Sequence, residues 1–465
     1  MNNKTYDAIV LGAGQGGGPL ALAMANAGWR TAIVEREHVG GTCVNTGCTP
    51  TKALVASARI AHMARNSHSF GVHTGLVSVN FYEVRKRKNR IVQDFRESSR
   101  QKYENTANLD LIMAEGAFAV SNGSGHSVQL RHQNGREEVI RGERIIIDTG
   151  SRAAVPTIAG IDQVEVLDEE SVMELEKLPE HLVILGAGYI GLEFAQAFQR
   201  MGSHVTLIER EEQVLSNEDA DISEEITKIL RAGDVKILLS SSVSRVEQVD
   251  KHIRIYVDCP EGNRVIEANH LLAAIGRTPN TSALRLDKVG VQTDERGYIQ
   301  VDDHLRTNIP GIFAMGDVKG GPEFTHIAYD DYRVLCDNLL LSNDTSVSGR
   351  MVPYTVFTDP QLGRVGLSER QAQQRNIPYR IARLPMAHVA RAIEVGETDG
   401  FLKALIGADD QILGCAILGA QGGEIMSVIQ MAMMGKLPYT TLRDAILAHP
   451  TFAEALNNLF STIQD

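Results

Sequence analysis

Cysteine is scarce in this chain of 465 residues, which carries five. Positive charge is short as well: 46 Lys and Arg against 58 Asp and Glu leave a net charge of −12, which argues against nucleic acid or an anionic membrane as the main partner. Long apolar runs are missing too. None approaches the roughly 20 residues of a membrane span, and the opening MNNKTYDAIVLGAG passes into a strand pattern without the layout of a signal peptide, so a cytoplasmic protein with no membrane partner is expected. In that compartment thiols stay reduced, and a close cysteine pair is expected to be catalytic, redox-sensing or metal-binding rather than a staple. The one basic cluster, RKRKNR at residues 85–90, is flanked by Phe81, Val84, Ile91 and Phe95 at helical spacing, which favours a solvated helix face over a nucleic-acid patch.

What is present is ordinary globular material, 43 % hydrophobic and 22 % charged. The length exceeds one core, so two to four domains are expected. TYDAIVLGAGQGGG, then PLALAMANAGWR, then TAIVERE reads as strand, glycine turn, helix and strand, and the same unit returns in HLVILGAGYIGLEFAQAFQRMGSHVTLIERE. A single GxGxxG is a weak signal. Here both copies sit in the required context, and each closes its second strand on an acid, Glu35 and Glu209, at about the expected 20-residue distance. Gly12 and Gly186 would make the tight turns, Gly14 and Gly188 would admit a pyrophosphate against the backbone, and Gly17 and Gly191 would let helix and strand approach. The pyrophosphate would lie on the helix N-terminus, where N–H groups and the macrodipole favour anions. A later segment ending in FAMGD, followed by a helix over about residues 327–341, would resume the first module after the second is inserted. From Val352 onward, strand-like segments followed by amphipathic helices from Glu424 suggest a separate α+β domain.

GGTCVNTGCTPTK, residues 40–52, places two of the five cysteines with four residues between them. Thr49 reads as an N-cap and Pro50 as the first helical residue. Cys48 would then stand at the positive end of a helix, with Lys52 one turn on, and both favour a thiolate. Gly47 and Asn45 allow the tight backbone that a disulfide requires. A redox-active pair is favoured. A zinc half-site and two packed thiols are the alternatives, although zinc would need two further ligands and Cys259, Cys336 and Cys415 are scattered.

GGTCVNTGCTPTK, the two glycine units, the TG at Thr149 and Gly150, the GD at Gly316 and Asp317, and HPTFAE near the C-terminus together resemble the class I pyridine nucleotide–disulfide oxidoreductases. That family includes dihydrolipoamide dehydrogenase, glutathione reductase and mercuric reductase, and the likeness covers essentially the whole chain. It implies an α/β fold with two Rossmann-like domains, one for FAD and one for NAD(P), plus a C-terminal α+β dimerisation domain in a homodimer. The segments implied are 1–150 and 281–350 for FAD, 151–280 for NAD(P) and 351–465 for the interface. By the same resemblance Gly12, Gly14, Gly17 and Glu35 hold the ADP half of FAD, Asp317 holds its ribityl or pyrophosphate region, and Gly41, Thr42, Lys52, Thr149, Gly150 and Gly316 complete that site. Gly186, Gly188, Gly191, Glu209 and Gly276 fall in the nicotinamide site, with Tyr189 as an aromatic lid. Cys48 would be the flavin-facing sulfur and Cys43 the interchange sulfur. Lys52 would pair with Glu193, and His449 with Glu454 would be an acid–base pair lent by the partner subunit.

Within the family, the apolar helix after the first glycines is unlike glutathione reductases. With no C-terminal cysteine pair before FSTIQD and no N-terminal metal-binding extension in the sequence, efficient mercury handling is not expected. FTHIAYDDYR, RAIEVGETDGFLKALI and KLPYTTLRDAILAHPTFAEALNNLF are most similar to a mercuric-reductase-like, reactive-chlorine-resistance flavoprotein subgroup. The expected activity is transfer of electrons from NADH through FAD and Cys43–Cys48 to a disulfide or metal-ion acceptor such as copper(II), with no resident metal. Dihydrolipoamide dehydrogenase and a flavin-bound thiol redox sensor are the alternatives. Glu209 should accept from a ribose 2′-OH and repel a 2′-phosphate, which favours NADH; the adjacent Arg210 leaves NADPH possible.

Overall fold

The computed structural model describes residues 4–120 and 125–463; the extreme ends of the 1–150 and 351–465 segments, and residues 121–124 inside the former, lie outside the described residues. The chain packs as two compact units. One holds the residues up to Ala53, Arg85–Ala154 and Gly276–Arg350; the other holds Leu54–Val84, Val155–Ile275 and the residues from Met351 on.

The first unit is built on a seven-stranded sheet. Thr5–Leu11 lies between Thr31–Glu35 and Glu137–Ile147, parallel to both. Leu109–Met113 extends the sheet beside Thr31–Glu35, and His126–Arg131 and Glu115–Ala119 complete it antiparallel on the other side. The central run AIVL is buried on both faces, as parallel strands covered by helices require. Ile312–Ala314, the strand that ends just before Met315 and the GD dipeptide, pairs parallel with Ile145–Ile147, so the chain does return to its first sheet. The helix that follows is Thr325–Leu340, two residues earlier at its start than the sequence suggests. A two-stranded ribbon, Ser151–Ala153 against Arg277–Pro279, marks where the chain leaves this unit and where it comes back.

In the second unit, Val235–Leu238, His204–Ile208, His181–Leu185, His270–Ala273 and Val166–Leu167 form a parallel five-stranded sheet. The helix Tyr189–Met201 buries Leu192, Phe194, Phe198 and Met201 in the core of this unit, roughly 1.5–3 kcal/mol for each large side chain. An antiparallel sheet in the order Tyr354–Val356, Gln361–Gly366, Ile412–Gly419, Phe401–Ile406, Arg380–Pro385 carries the helix Gly422–Met434. Every residue of Phe401–Ile406 is buried, Lys403 included. Its ammonium lies 2.7 Å from Asp221, 2.6 Å from Glu369 and 3.1 Å from Asp219, while Arg364 reaches Glu218 and Asp219 at 3.0 and 3.1 Å. These acids sit close enough together to hold a cation, and Lys403 is that cation.

Two local expectations are corrected. The cysteine helix spans Cys48–Asn66, so Thr49 stands inside its first turn rather than at the cap; Pro50 is still tolerated there, because first-turn N–H groups need no helical acceptor. The basic helix spans Phe81–Glu104, but its inward stripe runs through Phe81, Lys88 and Val92. Phe95 is 54 % exposed, whereas Lys88 is buried.

Candidate active site

The two glycine turns are built alike. Gly12 and Gly186 have φ of +107° and +96°, and a Cβ at either would run into a carbonyl oxygen of the neighbouring strand, at 2.2 and 2.4 Å. A Cβ on Gly17 would meet the Gly12 carbonyl at 2.4 Å, and one on Gly191 the Gly186 carbonyl at 2.0 Å, so the third glycines serve helix–strand approach. Gly188 faces open space, the room that a pyrophosphate against the backbone needs. Glu35 accepts from the Ala13 N–H at 3.0 Å and the Glu37 N–H at 2.9 Å; Glu209 accepts from the Ala187 N–H at 2.6 Å and the Glu211 N–H at 3.1 Å. Both acids are thus fixed at the mouth of their turns, where a ribose would meet them. Tyr189 opens the helix after Gly188 and is half-buried.

The cysteine loop is fastened to the first turn. Gly41 has φ +62°, and a Cβ there would stand 2.7 Å from the Gly14 Cα. The Gly40 N–H donates to the Ala13 carbonyl at 2.8 Å, and Gln15 Nε2 donates to the Gly40 carbonyl at 3.1 Å. Asn45 Nδ2 spans the loop, donating to the Val39 and Gly41 carbonyls, while its Oδ1 accepts from Arg96 Nε at 2.8 Å. The Thr42 carbonyl takes the N–H groups of Thr46 and Gly47 at 2.9 and 2.6 Å, which bends the chain into the cysteine helix.

This bend brings Cys43 and Cys48 together, with Cys43 half-buried and Cys48 exposed at the helix start. The Cys48 sulfur, as hydrogen-bond partner, together with burial pushes the Cys43 thiol far above its ordinary range, against opposing pulls from Thr325 and Lys52. Thr325 Oγ1 lies 3.5 Å from the Cys48 Sγ. Sequence reading passed over Thr325; its place at the start of a helix after a turn was the available signal.

Around the GD dipeptide, the Gly316 N–H donates to Asp331 at 2.9 Å. Asp317 accepts from the Ser151 hydroxyl at 2.8 Å, which in turn accepts from Arg277 Nε at 2.7 Å. Thr149 donates its hydroxyl to the Asn280 carbonyl at 2.9 Å, and the Asn280 N–H donates to the carbonyl of Gly150, whose φ is +66°. Gly276, at φ +126°, has open space at its Cα. In the other unit Glu193 is 2 % exposed and accepts from the Phe357 N–H at 2.8 Å. His449 directs Nδ1 at both Glu454 oxygens, 2.9 and 3.0 Å away, with its ring largely exposed, so it orients on a carboxylate and does not cap the helix Ala455–Phe460.

Two dinucleotide turns built alike, one of them fastened to a cysteine pair, form the pattern of a pyridine nucleotide–disulfide oxidoreductase. The chain belongs to the pyridine nucleotide–disulfide oxidoreductases: the model of that description matches residues 6–331, and the family's dimerisation domain matches residues 352–460. The protein is thus an FAD-dependent, NAD(P)H-using oxidoreductase and a homodimer. It is 38 % identical over 464 residues to the probable pyridine nucleotide–disulfide oxidoreductase RclA of Escherichia coli strain K12, covering 99 % of each chain. A solved structure titled as the Cu(II) complex of the HOCl-induced flavoprotein disulfide reductase RclA aligns with a TM-score of 0.90 at 37 % identity, over 99 % of both chains. Dihydrolipoyl dehydrogenase of Chlamydia muridarum is 34 % identical, with 97 % of this chain and 95 % of that protein covered. Mercuric reductase of Bacillus cereus is also 34 % identical, with 98 % of this chain and 71 % of that protein covered. Among the described residues no helix is long and apolar enough to cross a membrane.

Proposed function

We propose that this enzyme passes electrons from NADH through Cys43 and Cys48 to Cu(II) or a comparable thiophilic metal ion, in the cytoplasm. The supporting observation is the fastening of the cysteine loop to the first dinucleotide turn, with Gly41 against Gly14. FAD, when bound, supplies the two-electron carrier between nicotinamide and sulfur. Gly12, Gly14, Gly17 and Glu35 hold its ADP half, and Asp317, with Gly41, Thr42, Thr149, Gly150 and Gly316, holds the remainder. Gly186, Gly188, Gly191 and Glu209 hold the nicotinamide dinucleotide, with Tyr189 and Gly276 beside it.

Reduction breaks the Cys43–Cys48 bond and leaves two electrons on sulfur, with the charge on Cys48 and the proton on Cys43. Cys43 meets the acceptor, and His449, held by Glu454 and lent by the partner subunit, manages its proton. With copper, NADH and two Cu(II) give NAD+, a proton and two Cu(I). With a disulfide, NADH, a proton and the disulfide give NAD+ and two thiols. Lipoamide reduction is the second reading, favoured by the intact His449–Glu454 pair. Identity does not separate the two, being equal to a dihydrolipoyl dehydrogenase and a mercuric reductase.

NADH oxidation by the holoenzyme with Cu(II), Hg(II), oxidised glutathione or lipoamide decides among them. Cu(II)-dependent turnover that disappears in Cys43→Ser is the expected result. Turnover confined to lipoamide would establish the second reading, and no turnover with any acceptor would favour a redox sensor.

A further inference from the structure

One buried titratable group has no part in that chemistry. Asp148 ends the strand run IIID beneath the first glycine turn, 8 % exposed as a residue, with Oδ2 accepting from the Gly17 N–H at 2.7 Å. Four glycines leave the space that its carboxyl fills: a Cβ on Gly14 or Gly17 would stand 2.9 or 2.8 Å from Oδ2, and one on Gly316 or Gly16 would stand 2.8 or 3.4 Å from Oδ1. The turn that should receive a pyrophosphate is therefore folded around a carboxylic acid.

The groups facing it are mostly acids. Glu35 approaches from the end of the second strand, Asp317 from the GD turn, Asp331 from the helix Thr325–Leu340 and the Tyr103 phenol from the basic helix. Asp331 is itself paired with cations, Lys319 at 3.3 Å and Arg350 at 2.6 Å. Burial first, and then these neighbouring charges, raise Asp148 well above the carboxylate range against the pull of the Gly17 N–H. A bound pyrophosphate would add a further anion at the same helix end.

We propose that Asp148 is a positioning residue carried as the neutral acid, and that its proton is part of flavin binding. Neutral Asp148 keeps the Gly17 contact and tolerates the pyrophosphate; ionised Asp148 repels it. The sign follows from linkage: binding favours the protonated form, so affinity for FAD is full at low pH and falls as pH rises through the pKa of Asp148 in the FAD-free protein. The inference rests on FAD occupying the first module.

FAD release, read by flavin fluorescence after equilibration between about pH 5.5 and about pH 9, tests it, since buried carboxyls titrate as high as roughly pH 8–9. The wild type should lose affinity by up to about tenfold per pH unit above that pKa, whereas the isosteric Asp148→Asn should hold FAD with little pH dependence. An infrared band of a protonated carboxylic acid should titrate in the wild-type holoprotein in step with release, a reading that stands even if the variant folds poorly. Flat wild-type retention, an unchanged pH profile in Asp148→Asn, or a missing acid band would overturn the inference alone. A protein that takes up no flavin at any pH would overturn the reading beneath it as well.

Discussion

Cys43 and Cys48 differ by position before they differ by role. Cys43 is half-buried against its neighbour, while Cys48 begins a 19-residue helix and shares its surroundings with the Thr325 hydroxyl. If Cys48 carries the charge, Cys48→Ser should abolish the long-wavelength thiolate-to-flavin absorbance while leaving FAD bound; a persisting band would remove Cys48 from that role. Glu209 is held with both oxygens accepting from backbone N–H groups, so its carboxylate would be fixed in place for a ribose. The kcat/KM for NADH should exceed that for NADPH, and Glu209→Ala should shrink the ratio mainly by improving NADPH; a wild type that prefers NADPH would refute the assignment. Glu454→Gln removes the carboxylate charge that faces His449 Nδ1, and turnover with the electron acceptor should fall by about 10²–10⁴ while reduction of the flavin by NADH is unchanged.

At the scale of elements, the glycine turns were legible because glycine spacing, the closing acid and the flanking apolar runs are all local signals. Residues 5–35 and 181–209 carry them nearly without gap, and the strands lie where the sequence indicates. The cysteine helix was legible apart from its first two residues: Thr49 has the chemistry of a cap, but the Thr51 N–H already donates to the Gly47 carbonyl at 3.1 Å, which puts Cys48 and Thr49 inside the helix. Asp148, Ser151 and Arg277 were not legible at all, since what matters is the loop each meets from a distant part of the chain. The same holds for Lys403, whose position in an apolar strand makes sense only beside Asp219, Asp221 and Glu369. Lys403→Met would strand these acids, and should destabilise the protein by about 3–5 kcal/mol in denaturant titration; a loss near zero would show that solvent already screens them. Gly41→Ala places a methyl 2.7 Å from the Gly14 Cα at a positive φ, so the variant should bind FAD more weakly than the wild type by equilibrium dialysis.

For the molecule as a whole, the family and the dimerisation domain make the homodimer part of the description, and the proposed function would give the exposed His449–Glu454 pair a place in it. If each subunit lends His449 to its partner, mixing inactive Cys48→Ser with inactive His449→Ala and letting subunits exchange should restore roughly a quarter of wild-type turnover, through the one complete site of each mixed dimer. No recovery would place the histidine in its own subunit's site or outside the reaction. The central step is the passage of electrons through the two sulfurs. Anaerobic addition of NADH to the oxidised holoenzyme, followed by alkylation and mass spectrometry, reads this: Cys43 and Cys48 should both become alkylated, one pair for each NADH consumed, while Cys259, Cys336 and Cys415 label as before. NADH consumption with no new alkylation at Cys43 and Cys48 would contradict it.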